Sequence, residues 1–334
     1  MGLKAYLSKA GKSVFKHFGY EIVESKQLYE WQKYPKAPSR YRQSRLPNGA
    51  MEYLQKNNPR LQDLQARYAI FNNNVTEPLR WTDAHVRPDD ILYFRGDNAY
   101  VWQVGSLNMN PMGYALTTFY VKSIDKLGLL ERLEEDDFFG IFTFRIDNKL
   151  ISRDLLDSII EIYFLEKHLN LSLSKNMTIL DIGAGYGRLA HRMVNALANI
   201  QHYLCTDAVA VSSFISEYYL RFRNIEGRAK VVPLDEIENT LRNKSVNIAI
   251  NIHSFPECKI PAIDWWLSIL RKYRVQYLMI VPNGEPLLTN DGQDFGEVIK
   301  KHGYKLVAKE PKYRDPLAQK YAICPIYHYL FELQ

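Results

Sequence analysis

Residues 177–192, Met-Thr-Ile-Leu-Asp-Ile-Gly-Ala-Gly-Tyr-Gly-Arg-Leu-Ala-His-Arg, constrain the fold of this chain more than any other stretch. Met177 to Leu180 reads as a short buried strand that runs into Asp181. Gly183, Gly185 and Gly187 alternate with Ala184 and Tyr186, and helical spacing follows from Arg188 to Ala198. Glycines adopt the backbone angles of a tight turn and let a ligand approach bare backbone. Strand, glycine turn and helix together open a doubly wound sheet, whose ligands bind beyond the carboxyl ends of the strands.

The α/β pattern continues after this unit. Strands are expected at 201–206, 229–233, 246–252, 277–281, 304–308 and 328–333, with helices at 213–223, 262–273 and 295–302. The last two strands should pair antiparallel at the sheet edge. Upstream, Ser152 is a good N-cap for a helix over 151–166, whose apolar positions form one face. Asp154, Asp157 and Glu161 fall on the other face, either solvated or roofing the ligand pocket. The expected organisation is therefore a seven-stranded Rossmann-like α/β domain over 150–334. Residues 1–149 form an added, mainly helical region, suited to oligomerisation or to capping an acceptor. Within it, helices are expected over 59–70, with Pro59 at the first position, and over 110–126, and a hairpin over 91–103.

Two details of the turn bear on its ligand. Its spacing is G-x-G-x-G, not the G-x-G-x-x-G of dinucleotide sites, and Asp181 stands at the strand end just ahead of it. A carboxylate there repels a pyrophosphate and favours a cationic group. S-adenosylmethionine has no phosphate and carries an ammonium and a sulfonium. The following strand ends in Asp207, an acid placed to accept ribose hydroxyls. Strand-end Asp, three glycines and a second strand-end acid resemble a class I S-adenosylmethionine-dependent methyltransferase, with S-adenosylhomocysteine as product. The donor is then expected across Asp181, Gly183, Ala184, Gly185, Tyr186, Gly187, Asp207, Ala208, Leu234, Asp235 and Asn251.

The fourth strand exits into Asn-Ile-His-Ser-Phe-Pro-Glu, 251–257. His253 lies where a transferable methyl would hang, and an imidazole can take the proton of an attacking hydroxyl or simply orient it. Glu257 can orient His253 or bind a substrate hydroxyl. This segment, Ser-Arg-Asp-Leu-Leu-Asp-Ser (152–158), the 181–188 turn, Leu-Leu-Thr-Asn-Asp-Gly (287–292), Glu-Pro-Lys-Tyr-Arg-Asp-Pro (310–316) and His-Tyr-Leu-Phe-Glu-Leu (328–333) resemble the sugar O-methyltransferase family of bacterial polysaccharide gene clusters. The likeness covers 130–334 well and the N-terminal region loosely. It implies a carbohydrate acceptor, in glycan, nucleotide-sugar or lipid-linked form, and makes Arg153, Asp154, Asn290 and Asp291 acceptor-pocket residues. Asn283, after the fifth strand, joins them by position. Competing readings are an O- or N-methyltransferase of another small molecule and a non-catalytic donor-binding scaffold.

Composition narrows the classes further. Forty-three basic residues against 37 acidic give a net charge of +6, with no basic stripe, so no nucleic-acid partner is expected. Three cysteines without C-x-x-C spacing fit a reducing cytoplasm, and no secretory signal is apparent. No cluster of His, Asp and Glu has metal-ligand spacing, so no metal is expected, with a divalent cation left open. Residues 3–18 set Leu3, Tyr6, Leu7, Val14, Phe15 and Phe18 against Lys4, Lys9, Lys12 and Lys16. Such a helix can dock on its own domain, join a homo-oligomer, or lie on the inner face of an anionic membrane.

Overall fold

The structure, a computed structural model, describes residues 44–71, 73–76, 88–96 and 107–334, with a few positions between 11 and 20. Short helices come first: α1 (Ala50–Tyr53), α2 (Pro59–Tyr68), α3 (Asn73–Thr76), α4 (Pro88–Leu92), α5 (Pro111–Ile124) and α6 (Leu129–Arg132). Asn58 and Asn110 cap α2 and α5, their side chains accepting from the amides of Arg60 and Gly113 with proline next in line. A hairpin of β1 (Thr143–Ile146) and β2 (Lys149–Ser152) leads into α7 (Arg153–Leu169). Ser152 caps α7 as expected, and Asn170 ends it in the left-handed region.

The sheet proper holds β3 (Met177–Ile182), β4 (Ile200–Thr206), β5 (Ala229–Val231), β6 (Ile248–Ile252), β7 (Tyr277–Val281), β8 (Tyr304–Pro311) and β9 (Tyr327–Leu333). Their order is β5-β4-β3-β6-β7-β9-β8, with β9 antiparallel to both neighbours and the other pairings parallel. This is the seven-stranded sheet the pattern called for, and strand order reverses between β3 and β6. Interleaved are α8 (Arg188–Ala196), α9 (Ala210–Phe222), α10 (Ile237–Asn243), α11 (Ile260–Lys272), α12 (Gly296–Lys301) and α13 (Pro316–Tyr321).

Alternate strand residues feed two cores. Leu180, Leu204, Ala249, Leu278 and Ile280 face α10, α11 and α12. Ile179, Tyr203, Ile248, Ile250 and Met279 face α7 and α8, with α5 packed outside α7. The region before residue 150 contributes to both: Leu61, Leu64, Ile91, Phe94 and Phe139 join the first core, Tyr114, Val121 and Leu129 the second. The hairpin β1–β2 itself straddles position 149.

Two expectations change. The 91–103 hairpin is not present at its start: Ile91 and Leu92 belong to α4, where Pro88 and the two acids after it set a helix start. Residues 97–103 lie outside the described residues, as does most of the 3–18 stretch, of which Gly11, Val14, Phe15 and His17 are helical. The acidic face of α7 is not solvated, for Asp154, Asp157 and Glu161 are 1%, 6% and 3% exposed. Charges from other elements meet it.

A further buried charge cluster, outside α7, ties the N-terminal region to the sheet. Glu135, fully buried, receives Arg95 at 2.6 Å, Arg192 at 2.8 Å and the hydroxyl of Ser152. Burial works to raise its pKa, but Arg192 and Arg95 overcome this and hold the carboxylate well below the usual range. Arg95 also pairs with Asp136 at 2.7 Å, which Arg223 of the α9 C-terminus shares. Replacing Glu135 with Gln leaves two buried guanidiniums short of charge and should lower stability by about 3–5 kcal/mol at neutral pH. Because the folded pKa is depressed, that stabilisation is present above the ordinary glutamate value and fades below about pH 4. Denaturant unfolding of both proteins across pH checks the loss and its fading.

Candidate active site at the β3–β6 crevice

The glycine turn hangs from β4. The amides of Gly183 and Ala184 donate to the carbonyl of Thr206 at 2.9 and 3.1 Å, and that of Gly185 to Asp207 Oδ2 at 3.2 Å. All three glycines have positive φ, 75°, 56° and 87°. Gly183 is required twice over, since a Cβ would stand 2.3 Å from the Cβ of Ser254 at the β6 exit. At Gly185 a Cβ would meet nothing within 4 Å, so the loop presents open backbone there.

Two acids flank this opening. Asp181 is 4% exposed and accepts from the Tyr203 hydroxyl at 2.9 Å. Burial pushes its pKa up to about 7, against the Tyr203 hydrogen bond. Asp207 accepts from the Val209 amide at 2.8 Å, and burial takes it too up to about 7, against the amides of Val209 and Gly185. Glu257, in the turn after β6, is the carboxylate whose field reaches Asp207. Carboxyls held in this way gain most from a ligand that brings positive charge or hydroxyl donors.

Across the crevice His253 sits at φ 63°, its amide donating to the Val281 carbonyl at 2.7 Å. Its Nδ1 is buried without a hydrogen-bond partner. Burial drives its pKa down to about 3, helped by the cations Arg153, Arg188 and Lys312 and opposed by Asp157. The ring is therefore neutral at any physiological pH. These cations form a buried set under the site. Asp157 bridges Arg153 Nε at 3.0 Å and Lys312 Nζ at 2.6 Å, and Arg188, first residue of α8, grips both oxygens of Glu161 at 2.9 Å. Lys312 and His328, which is 2% exposed, were not singled out as site residues by their local sequence. They reach the cluster because β8 and β9 pair antiparallel, as expected of the last two strands, but which side chains that pairing brings to α7 no local pattern encodes.

Several expected site residues have other work. Asn251 is fully buried; its side-chain amide donates to the Ile182 carbonyl at 2.8 Å and accepts from the Phe255 amide at 2.8 Å, so it braces the turn. Asp154, expected in the acceptor pocket, is buried, takes the Tyr186 hydroxyl and lies 3.7 Å from Arg95. The Tyr186 ring, 2% exposed, packs between Phe94 and Tyr219, leaving only its backbone to the turn. Leu234 is a core residue, and Asp235 is gripped by Arg67 of α2 at 2.8 and 2.9 Å. Ala208 is partly exposed beside Asp207. Asn283, Asn290 and Asp291 are exposed; Asp291 closes its own loop through Thr289 and Gln293, while the Asn290 amide reaches the Pro256 carbonyl at 2.7 Å. Among the described residues no group of three or more His, Cys, Asp or Glu could hold a metal ion.

No family model and no curated protein matches the chain. Solved structures do. A SAM-dependent methyltransferase from Aquifex aeolicus is 15% identical over 53% of this chain and 98% of its own, with a TM-score of 0.37. Magnesium protoporphyrin IX methyltransferase from Synechocystis, solved with bound SAM, is 10% identical over 66% and 97%, at 0.38. The [4+2]-cyclase SpnF is 11% identical over 67% and 97%, at 0.40. These likenesses are of chain path alone, and the chemistry must be read from the residues described above.

Substituting Gly183→Ala combines a left-handed backbone with a clash and should cost roughly 2–5 kcal/mol. Ser254→Gly removes the atoms the new methyl meets, so the double variant should recover the packing part of that loss. A double-mutant cycle by chemical denaturation measures it, and strict additivity would mean the two residues do not touch.

Proposed function

We propose that this chain is an enzyme that transfers a methyl group from S-adenosylmethionine to a hydroxyl of a sugar acceptor, in glycan, nucleotide-sugar or lipid-linked form. The observation that carries the reading is the partner-less, buried Nδ1 of a neutral His253 beside a glycine turn walled by two acids. The residues fit the donor: open backbone at Gly185, Asp207 for ribose hydroxyls, and Asp181 for the positive charge. When bound, S-adenosylmethionine would supply an electrophilic methyl on a sulfonium, whose S–C bond breaks in the transfer to leave neutral S-adenosylhomocysteine.

His253 orients the acceptor hydroxyl and receives its proton as the new O–C bond forms. A ring with a pKa near 3 would be a poor base toward a resting alcohol, but the hydroxyl becomes strongly acidic as its oxygen is alkylated, so a late proton transfer suffices. Burial, with Arg153, Arg188 and Lys312 nearby, keeps the ring unprotonated and ready. Holding both reactants in line contributes on the order of 7–11 kcal/mol to such a reaction. The sugar rests on the likeness of 152–158, 251–257 and 287–292 to the polysaccharide methyltransferases, and with it a place in surface polysaccharide synthesis.

Two measurements test the reading. Donor binding needs Asp181 and Asp207 ionised, and their pKa values lie near 7. Calorimetric affinity for S-adenosylmethionine should hold steady above pH 8 and, with one factor of ten for each acid, weaken by up to about a hundredfold per pH unit well below 7. Absence of binding at every pH ends the proposal. His253→Asn, which suits the same backbone and still accepts a hydrogen bond, should leave donor affinity intact and cut kcat by about 10²–10⁴. Turnover of a panel of nucleotide sugars and capsular oligosaccharides is read by mass of the methylated product. Equal turnover in the variant removes the proton-accepting role, and methylation of amines alone removes the sugar.

A further inference from the structure

Helix α2 belongs to the N-terminal region, yet it lies along α9 and touches the turn after β5. Leu61 and Leu64 bury its apolar side in the core that Phe214 and Ile215 of α9 share. Near its start Arg60 grips Glu217, midway along α9, at 2.5 and 2.9 Å. Its end makes different contacts. Arg67 holds Asp235, and the buried Tyr68 shares a hydrogen bond with Ser213 Oγ at 2.8 Å. The first contact only docks the helix. The other two fall on the segments that follow β5 and β4, where the donor acid Asp207 stands.

From Tyr68 the bonds continue without a gap. The Ser213 amide donates to the Val209 carbonyl at 3.2 Å, and the Val209 amide to Asp207 Oδ1 at 2.8 Å. The other carboxylate oxygen takes the Gly185 amide at 3.2 Å. Bonds in such a chain, away from water, strengthen one another, and the place of each group fixes the next. Burial pushes the Tyr68 phenol up to about 12, and the charges of Asp207 and Asp235 add to the rise, so its hydroxyl keeps its proton at physiological pH. We propose that Tyr68 is a positioning residue of the donor site, setting through Ser213 and Val209 the loop that aims Asp207 at the ribose of S-adenosylmethionine. The inference rests on the donor-binding half of the proposed function and carries it to a residue outside the 150–334 domain. The N-terminal region is then part of the donor site, in addition to any contact with the acceptor.

The test is calorimetric affinity of the full chain for S-adenosylmethionine at pH 8, where both acids are ionised. Tyr68→Phe keeps the ring and its packing and removes only the hydroxyl, and affinity should fall about three- to tenfold. Ser213→Ala, whose amide still serves Val209, should cause a loss of the same size. If the two residues act in series, the double variant loses no more than either alone. Arg60→Ala removes the tether to Glu217 from the same helix and should leave donor affinity unchanged. A merely structural role for α2 predicts weakening there too, so an equal loss in Arg60→Ala overturns the inference. Full affinity in Tyr68→Phe, or additive losses in the double variant, overturns it as well. In those cases the unaltered chain still binds the donor and the proposed function stands; an unaltered chain that binds none removes both.

Discussion

Two carboxyl groups kept from water are the constraint on which the ligand end of this sheet depends. Asp181 stands on a strand buried along its whole length, and the Tyr203 phenol is its hydrogen-bond partner. Asp207 is fixed by the amides of Val209 and Gly185, so the acid that faces a ligand also shapes the turn that receives it. Charging either group without a ligand costs free energy, since burial has raised both pKa values above the ordinary carboxylate range. In the reading proposed above, a cationic or hydroxyl-rich partner returns that cost, and the preference belongs to the turn as a whole rather than to the contacts of one side chain.

The other wall of the crevice works in the opposite sense. There, burial and the cations nearby hold a histidine neutral, while the cations' own charges are balanced by Asp157 and Glu161 on one face of α7. A helix whose apolar stripe sits in one core and whose acidic stripe binds arginine and lysine from α8 and the β8 end cannot shift without breaking both. The fold thus sets two acids, without cationic partners among the described residues, at the ends of β3 and β4, and a balanced set of cations and acids around His253.

Much of this could be read from the chain. The 177–192 stretch fixed the sheet, its switch point and the turn, because a strand, three alternate glycines and a helix leave few other arrangements. The strand ends followed, and with them Asp181, Asp207 and His253. What could not be read was which polar groups are spent inside. Asn251 looks like a ligand residue in sequence, yet braces two turns. Asp154 looks like a capping acid near a pocket, yet answers Tyr186 and Arg95. Lys312 gives no sign of its place, since only antiparallel closure by β9 brings it to α7. The 91–96 segment misleads because alternating apolar residues also suit one short helical turn.

The Arg95–Glu135–Arg192 junction has a consequence for how such a protein can change over time. The segments before residue 150 share charges and core with the sheet, so they are not a module that recombination can exchange freely. An incoming replacement would have to bring an arginine and an acid that match Arg192 and Arg223, and apolar side chains that match Phe214 and Tyr219. Change is then accommodated more readily in exposed loops such as 290–294 than by shuffling the N-terminal half.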